Sequence, residues 1–598
     1  MDIRGRLAEF RKQMEKEQMD LYYVPTNDFH GSEYISDYFK VREFLSGFDG
    51  SAGELVITQQ EAGLWTDGRY FLQAKKQLEG SGITLYRSGQ EGVIKLNDFI
   101  YEKMPEGGKL GCDGRLVSQA WAEGIVRMLS RKSAGLVTST DIANLVWKDR
   151  PELLHQKAWI LSEDYAGESR QSKLQKVRKF MEKWNGSHFI LNSLDDIAWL
   201  LNIRGNDIPC NPVVLSYLVV EKEQCFLFAG NDIFDQEQKQ QLEADGIILR
   251  EYDAVYDYAK SFPQGDKIFA DKRTINHEIV ENFPKNTRIV DMASPVTYWK
   301  SIKNETEIAN EKDAHIKDGV AVTRFIYWLK KNIGKETITE ISAAQKLEAF
   351  RMEGKHYLGP SFDPIAGYGA HGAIVHYSAT KETNAVLKEQ NFLLLDTGGQ
   401  YMEGTTDITR TILLGKPTKE QQKYYTAVLR GNLNLCNATF LYGCSGVALD
   451  YAAREPLWEM GCDYNHGTGH GVGYLLNVHE GNNAFRYRIL SGPGKNPVLE
   501  AGMITSDEPG IYLEGKFGIR LENLILCVKK EKNEFGQFMG FEPLTYVPFD
   551  RAAIDISQMN QKEIARLNAY HREVYEKISP YLNEEEKEWL QKECEPFA

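Results

Sequence analysis

Apolar and polar positions along this chain alternate between two periods. Near the start, LYYVP and ELVIT are short runs rich in β-branched and aromatic residues, as strands are, whereas Ala120 to Leu129 spaces its apolar residues as a one-sided helix does. A charged amphipathic helix, MDIRGRLAEFRKQMEKEQMD, comes first. The same mixture starts again near Trp159, where HFILNS, VVLSYLVVE, QCFLFAG and KIFAD predict strands and Leu194 to Leu201 predicts a helix. The polar stretch SIKNETEIANEKDAHIKDG then opens a long helix, because Asn304 and the acids after it suit the free amides and positive dipole of a helix start. Beyond EPLTYVPFD, Gln558 to Lys592 return to amphipathic helical sequence. The pattern predicts a mixed α/β (α+β) protein with units at 1–157, 158–302 and 303–550 and a helical extension at 551–598.

Length and composition narrow this picture. A chain of 598 residues exceeds what one core organises, and 42% hydrophobic with 26% charged residues is ordinary for a globular protein. A formal net charge of −14 repels nucleic acid and anionic membranes, so the expected partner is a peptide or small molecule, with no nucleic acid and no membrane. No run approaches the roughly 18 consecutive apolar residues of a membrane span, and the charged first segment does not resemble a signal peptide, so the expected location is cytoplasmic. The eight cysteines contain no CxxC pair and predict reduced structural thiols.

The candidate chemistry lies in the third unit. Asp396 closes the apolar run in LLLDTGG, Asp407 opens TTDITRT, Glu508 sits in SDEPGIY, Glu522 in IRLENLIL and His470 in HGTGHGVG. Four carboxylates and one imidazole on separate strand-like segments are the donors a pair of hard divalent cations needs, since such ions take many oxygens from rigid elements that meet at one point. Asp396 and Asp407 flank a glycine-containing turn and fit one hairpin. Glu508 and Glu522 flank another, with Arg520 two residues before Glu522 and so on the same strand face, where it orients the carboxylates. Tyr401-Met402-Glu403-Gly404 and Tyr512-Leu513-Glu514-Gly515 hint that the two acidic segments repeat each other. His466 and His470 have the i, i+4 spacing of zinc-protease helices, but Gly467, Gly469, Gly471 and Gly473 oppose a helix and no Glu follows His466. The segment is expected to be a loop or strand, with His470 as the nitrogen ligand and His466 as a hydrogen-bonding neighbour.

These residues resemble the dinuclear-metal peptidases of the pita-bread fold, and most closely the three-domain Xaa-Pro aminopeptidases, or aminopeptidase P. HGTGHGVGYLLNVHEG, SDEPGIY and GIRLENL resemble the family's catalytic blocks, while GFDGSAGELVIT, WTDGRYFLQA and DDIAWLLNIRGNDIPCNPVVLSYLVV resemble the long cytosolic forms. The likeness covers nearly the whole chain. It implies two related creatinase-N-like domains ahead of a pita-bread catalytic domain. It also implies that Asp396 chelates one metal, His470 and Glu508 the other, and Asp407 and Glu522 both. Manganese is the family's usual metal, and zinc or cobalt is compatible with the same ligands. A hydroxide between the ions would be the nucleophile, with Glu508 moving its proton. His376, His466 and His479 would line the cleft and polarise the scissile carbonyl. The implied substrates are peptides with proline at the second position, and the implied assembly is a homodimer.

Structural explanations compete with some of these assignments. His371 is expected to be a structural histidine, and Tyr357, Tyr368 and Tyr512 to be core or rim more often than a surface for a proline ring. Arg520 has the alternative of a surface ion pair, and Arg69 in WTDGRY either reaches a partner's cleft or stabilises its turn with Asp67 and Gly68. The functional alternatives are a prolidase restricted to Xaa-Pro dipeptides, a methionine aminopeptidase, a creatine amidinohydrolase and a non-catalytic peptide-binding module on the same fold. The extra amino-terminal unit favours the aminopeptidase over the prolidase. The complete ligand set opposes the amidinohydrolase and the binding module.

Overall fold

The computed structural model describes residues 1–490 and 496–598. Two compact units make up the chain: Met1–Ser162 with Glu168–Val296, and Glu163–Gly167 with Thr297–Ala598.

The first unit holds two six-stranded mixed sheets. One runs in the order Ile83–Arg87, Ala62–Thr66, Glu54–Thr58, Leu21–Val24, Lys109–Gly111, Gly135–Val137. The other runs Ile247–Glu251, Cys225–Ala229, Ser216–Glu221, His188–Leu191, Lys267–Ala270, Arg288–Asp291. Strand order and direction match throughout: Leu21–Val24 and His188–Leu191 each pair antiparallel on one side and parallel on the other, and both edges of each sheet join in parallel. The expectation of two related α/β folds is met. The helix Ile3–Lys16, capped by Asp2, buries Leu7, Phe10 and Met14 in one core with Tyr22, Val24 and Ile57.

The duplication extends to a side-chain motif. After Lys109–Gly111, Asp113 receives Arg115 at both guanidinium nitrogens, Nε at 3.0 Å and Nη2 at 2.9 Å, and also its backbone N–H. Asp271 and Arg273 repeat this after Lys267–Ala270, at 2.9 and 2.7 Å. Farther on, Ser118 and Asn276 cap the two equivalent helices and meet in an antiparallel bridge. The N–H of Gln119 donates to the Ile275 carbonyl at 3.0 Å and that of His277 to the Val117 carbonyl at 2.8 Å, while His277 Nδ1 donates to Gln119 Oε1 at 2.8 Å. Equivalent residues contacting each other is the signature of an isologous interface, here within one chain. Arg69 forms the same fork on Asp67, at 2.9 and 2.8 Å, so it stabilises its own turn.

In the second unit the helix Glu305–Asn332 starts as expected, with Asn304 and Glu307 forming a reciprocal capping box. A three-stranded sheet, Ile365–Tyr368, Phe392–Thr397, Ile408–Leu413, carries one pair of acids. A six-stranded sheet, Thr439–Leu441, Gly536–Pro543, Asn523–Asn533, Ile504–Asp507, Gly469–Gly471, Glu480–Phe485, carries the other. The helices Gln561–Ile578 and Glu584–Glu593 bury Leu567, Val574, Ile578 and Leu590 in the core that also holds Phe392, Ile519 and Phe549. At roughly 1.5–3 kcal/mol for each buried aliphatic or aromatic side chain, the carboxyl-terminal extension is part of this unit's core.

Candidate metal centre

Strand pairing brings the acids together. Asp396 lies opposite Thr409 where Phe392–Thr397 pairs with Ile408–Leu413, and Asp407 immediately precedes the second of these strands. Between them the chain makes the small hairpin Gly399–Tyr401 with Gly404–Thr405. Glu508 follows Ile504–Asp507, Glu522 precedes Asn523–Asn533, and those strands pair with Asp507 opposite Asn523. The hairpin Gly510–Leu513 with Phe517–Arg520 lies between them. Each pair of acids thus brackets a hairpin on two paired strands, and the two Tyr-x-Glu-Gly motifs mark the equivalent turns.

His470 is the central residue of the strand Gly469–Gly471, held between Glu480–Phe485 and Ile504–Asp507. The glycines permit this close pairing: a Cβ on Gly469 would stand 1.8 Å from the Ser506 carbonyl oxygen. His470 Nδ1 lies 2.9 Å from the Gly471 carbonyl, which only accepts, so Nδ1 carries a proton and Nε2 faces the acids. Nε2 is 3.5 Å from Asp407 Oδ2 and 3.5 Å from Glu508 Oε1. Asp407, His470 and Glu522 offer ligand atoms within 4.8 Å of one another.

Arg520 and Glu522 do not share a strand as their spacing predicts. The strand Phe517–Arg520 ends at Arg520, and Glu522 lies at the junction with Asn523–Asn533. Arg520 still turns to the acids: its Nη2 pairs with Asp396 Oδ2 at 2.5 Å and its Nη1 donates to the Tyr512 hydroxyl at 2.7 Å. Only 2% exposed, it is not a surface ion pair. Thr409 donates to Glu522 Oε2 at 2.6 Å, and Ser506 accepts the His470 N–H at 2.9 Å while donating to Glu508 Oε1 at 3.2 Å.

The electrostatics call for cations. Burial, then the charge of Asp407, raises Asp396 above the usual carboxylate range, with Arg520 opposing. Burial raises Glu508 against the pull of His470 and Arg520, and raises Glu522 well above its normal range with help from Asp407, Glu508 and Asp396. For His470 burial disfavours the charge, but the hydrogen bond to Asp407 and the charges of Glu508 and Asp407 outweigh it and lift the imidazole to about 9. Asp396 Oδ1 is buried without a hydrogen-bond partner. Clustered acids, a lone-pair nitrogen under a competing proton and an orphaned carboxylate oxygen are the donor set that divalent cations satisfy.

The histidines divide. His466 meets the Tyr512 hydroxyl through Nε2 at 2.8 Å, and its Nδ1 lies 3.9 Å from Glu508 Oε2. His479 packs edge-on against His470 with ring centroids 4.4 Å apart. His376 sits in the turn after Gly369–Ala373, beside Val375, whose carbonyl accepts from Arg520 Nη2 at 3.4 Å. His371 bonds Glu340 at 2.8 Å and stacks on Tyr377, a structural role. Tyr357 and Tyr368 bond Glu348 and the Gln390 carbonyl. Thr409 and Ser506 are the polar residues that sequence reasoning passed over, and Tyr512, expected to be core or rim, instead bonds Arg520 and His466. Ser506 alone had a signal, standing two residues before Glu508.

Comparison with known proteins agrees with this geometry. The model of metallopeptidase family M24 matches residues 309–529, that of the Creatinase/Prolidase N-terminal domain matches 6–151 and again 149–307, and that of the C-terminal region of peptidase M24 matches 537–597. The probable Xaa-Pro aminopeptidase P of Laccaria bicolor is 38% identical over 99% of this chain and 93% of its own length. Xaa-Pro aminopeptidase 1 of Dictyostelium discoideum is 38% identical over 100% and 97%. The crystal structure of X-prolyl aminopeptidase from Caenorhabditis elegans, described as a cytosolic enzyme with a di-nuclear active site, superposes with a TM-score of 0.94 at 32% identity over the full length of both chains. The Xaa-Pro dipeptidase of Bacillus anthracis shares the fold over 64% of this chain, with a TM-score of 0.51 at 23% identity. The chain belongs to the Xaa-Pro aminopeptidase P family of M24 metallopeptidases.

Proposed function

We propose that this protein is a metal-dependent aminopeptidase that releases the first residue of peptides carrying proline at the second position. The observation that carries the reading is that the pairs Asp396/Asp407 and Glu508/Glu522, each bracketing a hairpin, meet with His470 of the strand Gly469–Gly471 between them, in a chain similar from end to end to Xaa-Pro aminopeptidases. These five residues would hold two divalent ions, and the oxygen-rich set favours manganese. Such ions supply charge that lowers the pKa of a bound water and polarises a carbonyl.

The chain's own groups do the rest. Arg520 fixes Asp396, Thr409 fixes Glu522, and the Gly471 carbonyl holds the His470 tautomer that offers Nε2. Glu508, raised by burial, takes a proton from the attacking water and returns it to the departing prolyl nitrogen. His376 and His479 line the cleft and donate to the scissile carbonyl as charge builds on its oxygen, while His466 lies beside them with Nδ1 on the Gly467 carbonyl and Nε2 on the Tyr512 hydroxyl. The Xaa-Pro bond is a tertiary amide with no N–H and a fixed φ, which requires a shaped site.

A division at 1–157, 158–302, 303–550 and 551–598 fits the two matching sheets, the metal-site sheets and the terminal helices. A homodimer is supported by an exposed apolar face on the second unit, where Tyr451, Trp458, Tyr487 and Ile489 are all exposed and Trp458 packs against both Tyr451 and Tyr487. A cytoplasmic location is supported by eight unpaired cysteines and by the cytosolic description of the nematode enzyme.

Mass-spectrometric product analysis tests the whole reading on Xaa-Pro-Yaa, Xaa-Ala-Yaa and an Xaa-Pro dipeptide, each with manganese or with chelator. Chelator-sensitive release of Xaa from the proline tripeptide is the expected result. Cleavage of the dipeptide alone would mean a prolidase, and no cleavage by the manganese-loaded protein would mean a binding module.

A further inference from the structure

We propose that Arg410 is a positioning residue that couples the carboxyl-terminal helices to Glu522, an inference that rests on the ligand role of Glu522 proposed above. Arg410 lies on the strand Ile408–Leu413. Thr409 and Thr411 point to the site, bonding Glu522 and the Arg520 carbonyl, so Arg410 points to the opposite face. It is buried, 2% exposed, and stacks on Phe549 with its guanidinium carbon 4.4 Å from the ring centroid.

Among the described residues, this buried cation donates to carbonyls, a carboxamide and a phenol. Nη1 donates to the Thr409 carbonyl at 2.9 Å and the Glu522 carbonyl at 2.6 Å. Nη2 donates to Asn523 Oδ1, the Val547 carbonyl and the Tyr570 hydroxyl, each at 2.8 Å, and Nε to the Pro548 carbonyl at 3.3 Å. A guanidinium taken out of water needs acceptors on every edge, and these six come from three parts of the chain. One is the strand Ile408–Leu413 itself, through Thr409, one is the junction at Glu522, and one is the segment 547–548 with Tyr570 of the helix Gln561–Ile578.

Glu522 lies outside regular strand pairing, so this side-chain network defines its backbone. Its N–H donates to the Thr409 carbonyl at 3.1 Å, its Oε2 accepts from Thr409, and its carbonyl accepts from Arg410. Tyr570 is the far anchor. Its hydroxyl accepts from Arg410 and lies 2.9 Å from the Val547 carbonyl, while His571 Nε2 accepts the Phe549 N–H at 3.2 Å. If the Tyr570 hydroxyl is removed, Nη2 keeps Asn523 Oδ1 and the Val547 carbonyl for its two hydrogens, but the Val547 and Thr545 carbonyls, 2.9 and 3.0 Å from the hydroxyl, lose its proton; the segment that seats the guanidinium is then untied from the helix, and the Glu522 carbonyl shifts with it.

Calorimetric Mn²⁺ titration of the metal-stripped full chain tests the coupling. Tyr570→Phe keeps the ring in the core and removes only the hydroxyl. It is expected to weaken Mn²⁺ binding about 10- to 100-fold, the usual effect of losing a group that orients a ligand, and to change the visible absorption of the Co²⁺-loaded protein. Arg410→Lys, which keeps the charge and loses the fork, should do the same or more. Leu590→Ala, a buried residue of the last helix without polar contact to Arg410, should lower Tm yet keep parental Mn²⁺ affinity. Parental affinity in Tyr570→Phe, or an affinity that merely follows Tm across all three variants, would overturn the coupling. If the parent itself fails to bind Mn²⁺, the ligand assignment falls first and the coupling with it.

Discussion

The Tyr512 hydroxyl has one proton and two neighbours. Arg520 Nη1 donates to it at 2.7 Å, so its own proton goes to His466 Nε2 at 2.8 Å, and His466 Nδ1 is left to donate to the Gly467 carbonyl at 2.7 Å. One side chain therefore orients the arginine on Asp396 and the tautomer of a cleft histidine. Tyr512→Phe is expected to cost about 10- to 100-fold in turnover, as the loss of an orienting group does, with Tm near that of the parent. Unchanged kinetics would remove Tyr512 from the site. Asp407→Ala is expected to abolish metal occupancy and turnover together, and a fully active variant would sink the ligand assignment. The pKa shifts set a pH dependence as well. His470 is raised to about 9 and Asp396, Glu508 and Glu522 are raised by burial, so the metal-free folded site retains protons that a cation must displace. Metal affinity should therefore rise with pH through neutrality toward about 9, with proton release visible as a buffer-dependent heat in calorimetry. A pH-independent affinity would refute this.

Elements decide how much of the site was legible before the fold was known. Strands and helices with a single clear period were readable, Glu54–Thr58 and Leu194–Leu201 among them, and so was the capped start of Glu305–Asn332. Glycine at alternate positions argued against a helix around His470 and left a loop or a strand, and the structure has the strand Gly469–Gly471. The side chains that hold the ligands were not readable. Arg410 and Thr409 are ordinary strand residues in a one-dimensional pattern, and their roles come from segments more than a hundred residues away. The paired forks of Asp113 and Asp271 became visible only when the two sheets could be compared. The glycine argument also makes a prediction at this scale. Gly469→Ala would set a methyl 1.8 Å from the Ser506 carbonyl oxygen, whereas a Cβ on Gly481 has nothing within 4 Å. Gly469→Ala should separate the strands beside His470, losing metal and roughly 1–3 kcal/mol or more of stability, while Gly481→Ala stays near the parent. Equal behaviour of the two in thermal melts and metal titrations would contradict the close pairing.

At the scale of the whole molecule, each compact unit contains a buried histidine that the fold keeps neutral, and the second unit holds a further one, His315, which burial also lowers. His30, in the first unit, takes the Tyr252 hydroxyl at 2.7 Å on Nε2 and faces the Asn192 carbonyl at 3.0 Å with Nδ1; burial lowers it from 6.5 to about 4. His571, in the second, accepts the Phe549 N–H, and burial, reinforced by Arg410 and Arg551, lowers it from 6.5 to about 3. In the unfolded chain both bind protons near pH 6.5, whereas the folded chain refuses them until much lower pH. Between those limits the unfolded state carries more protons, so stability falls as pH falls. The stabilisation is complete above 6.5 and is lost on acidification toward 4, with each histidine contributing on the order of 3 kcal/mol over that window. Because the histidines sit in different units, calorimetry should resolve two transitions that both move down between pH 7 and 4.5. His30→Gln should flatten the pH dependence of the first unit's transition, and His571→Gln that of the second, whatever either does to Tm at neutral pH. If either substitution leaves both pH slopes unchanged, that histidine is not the group whose burial the acid must reverse.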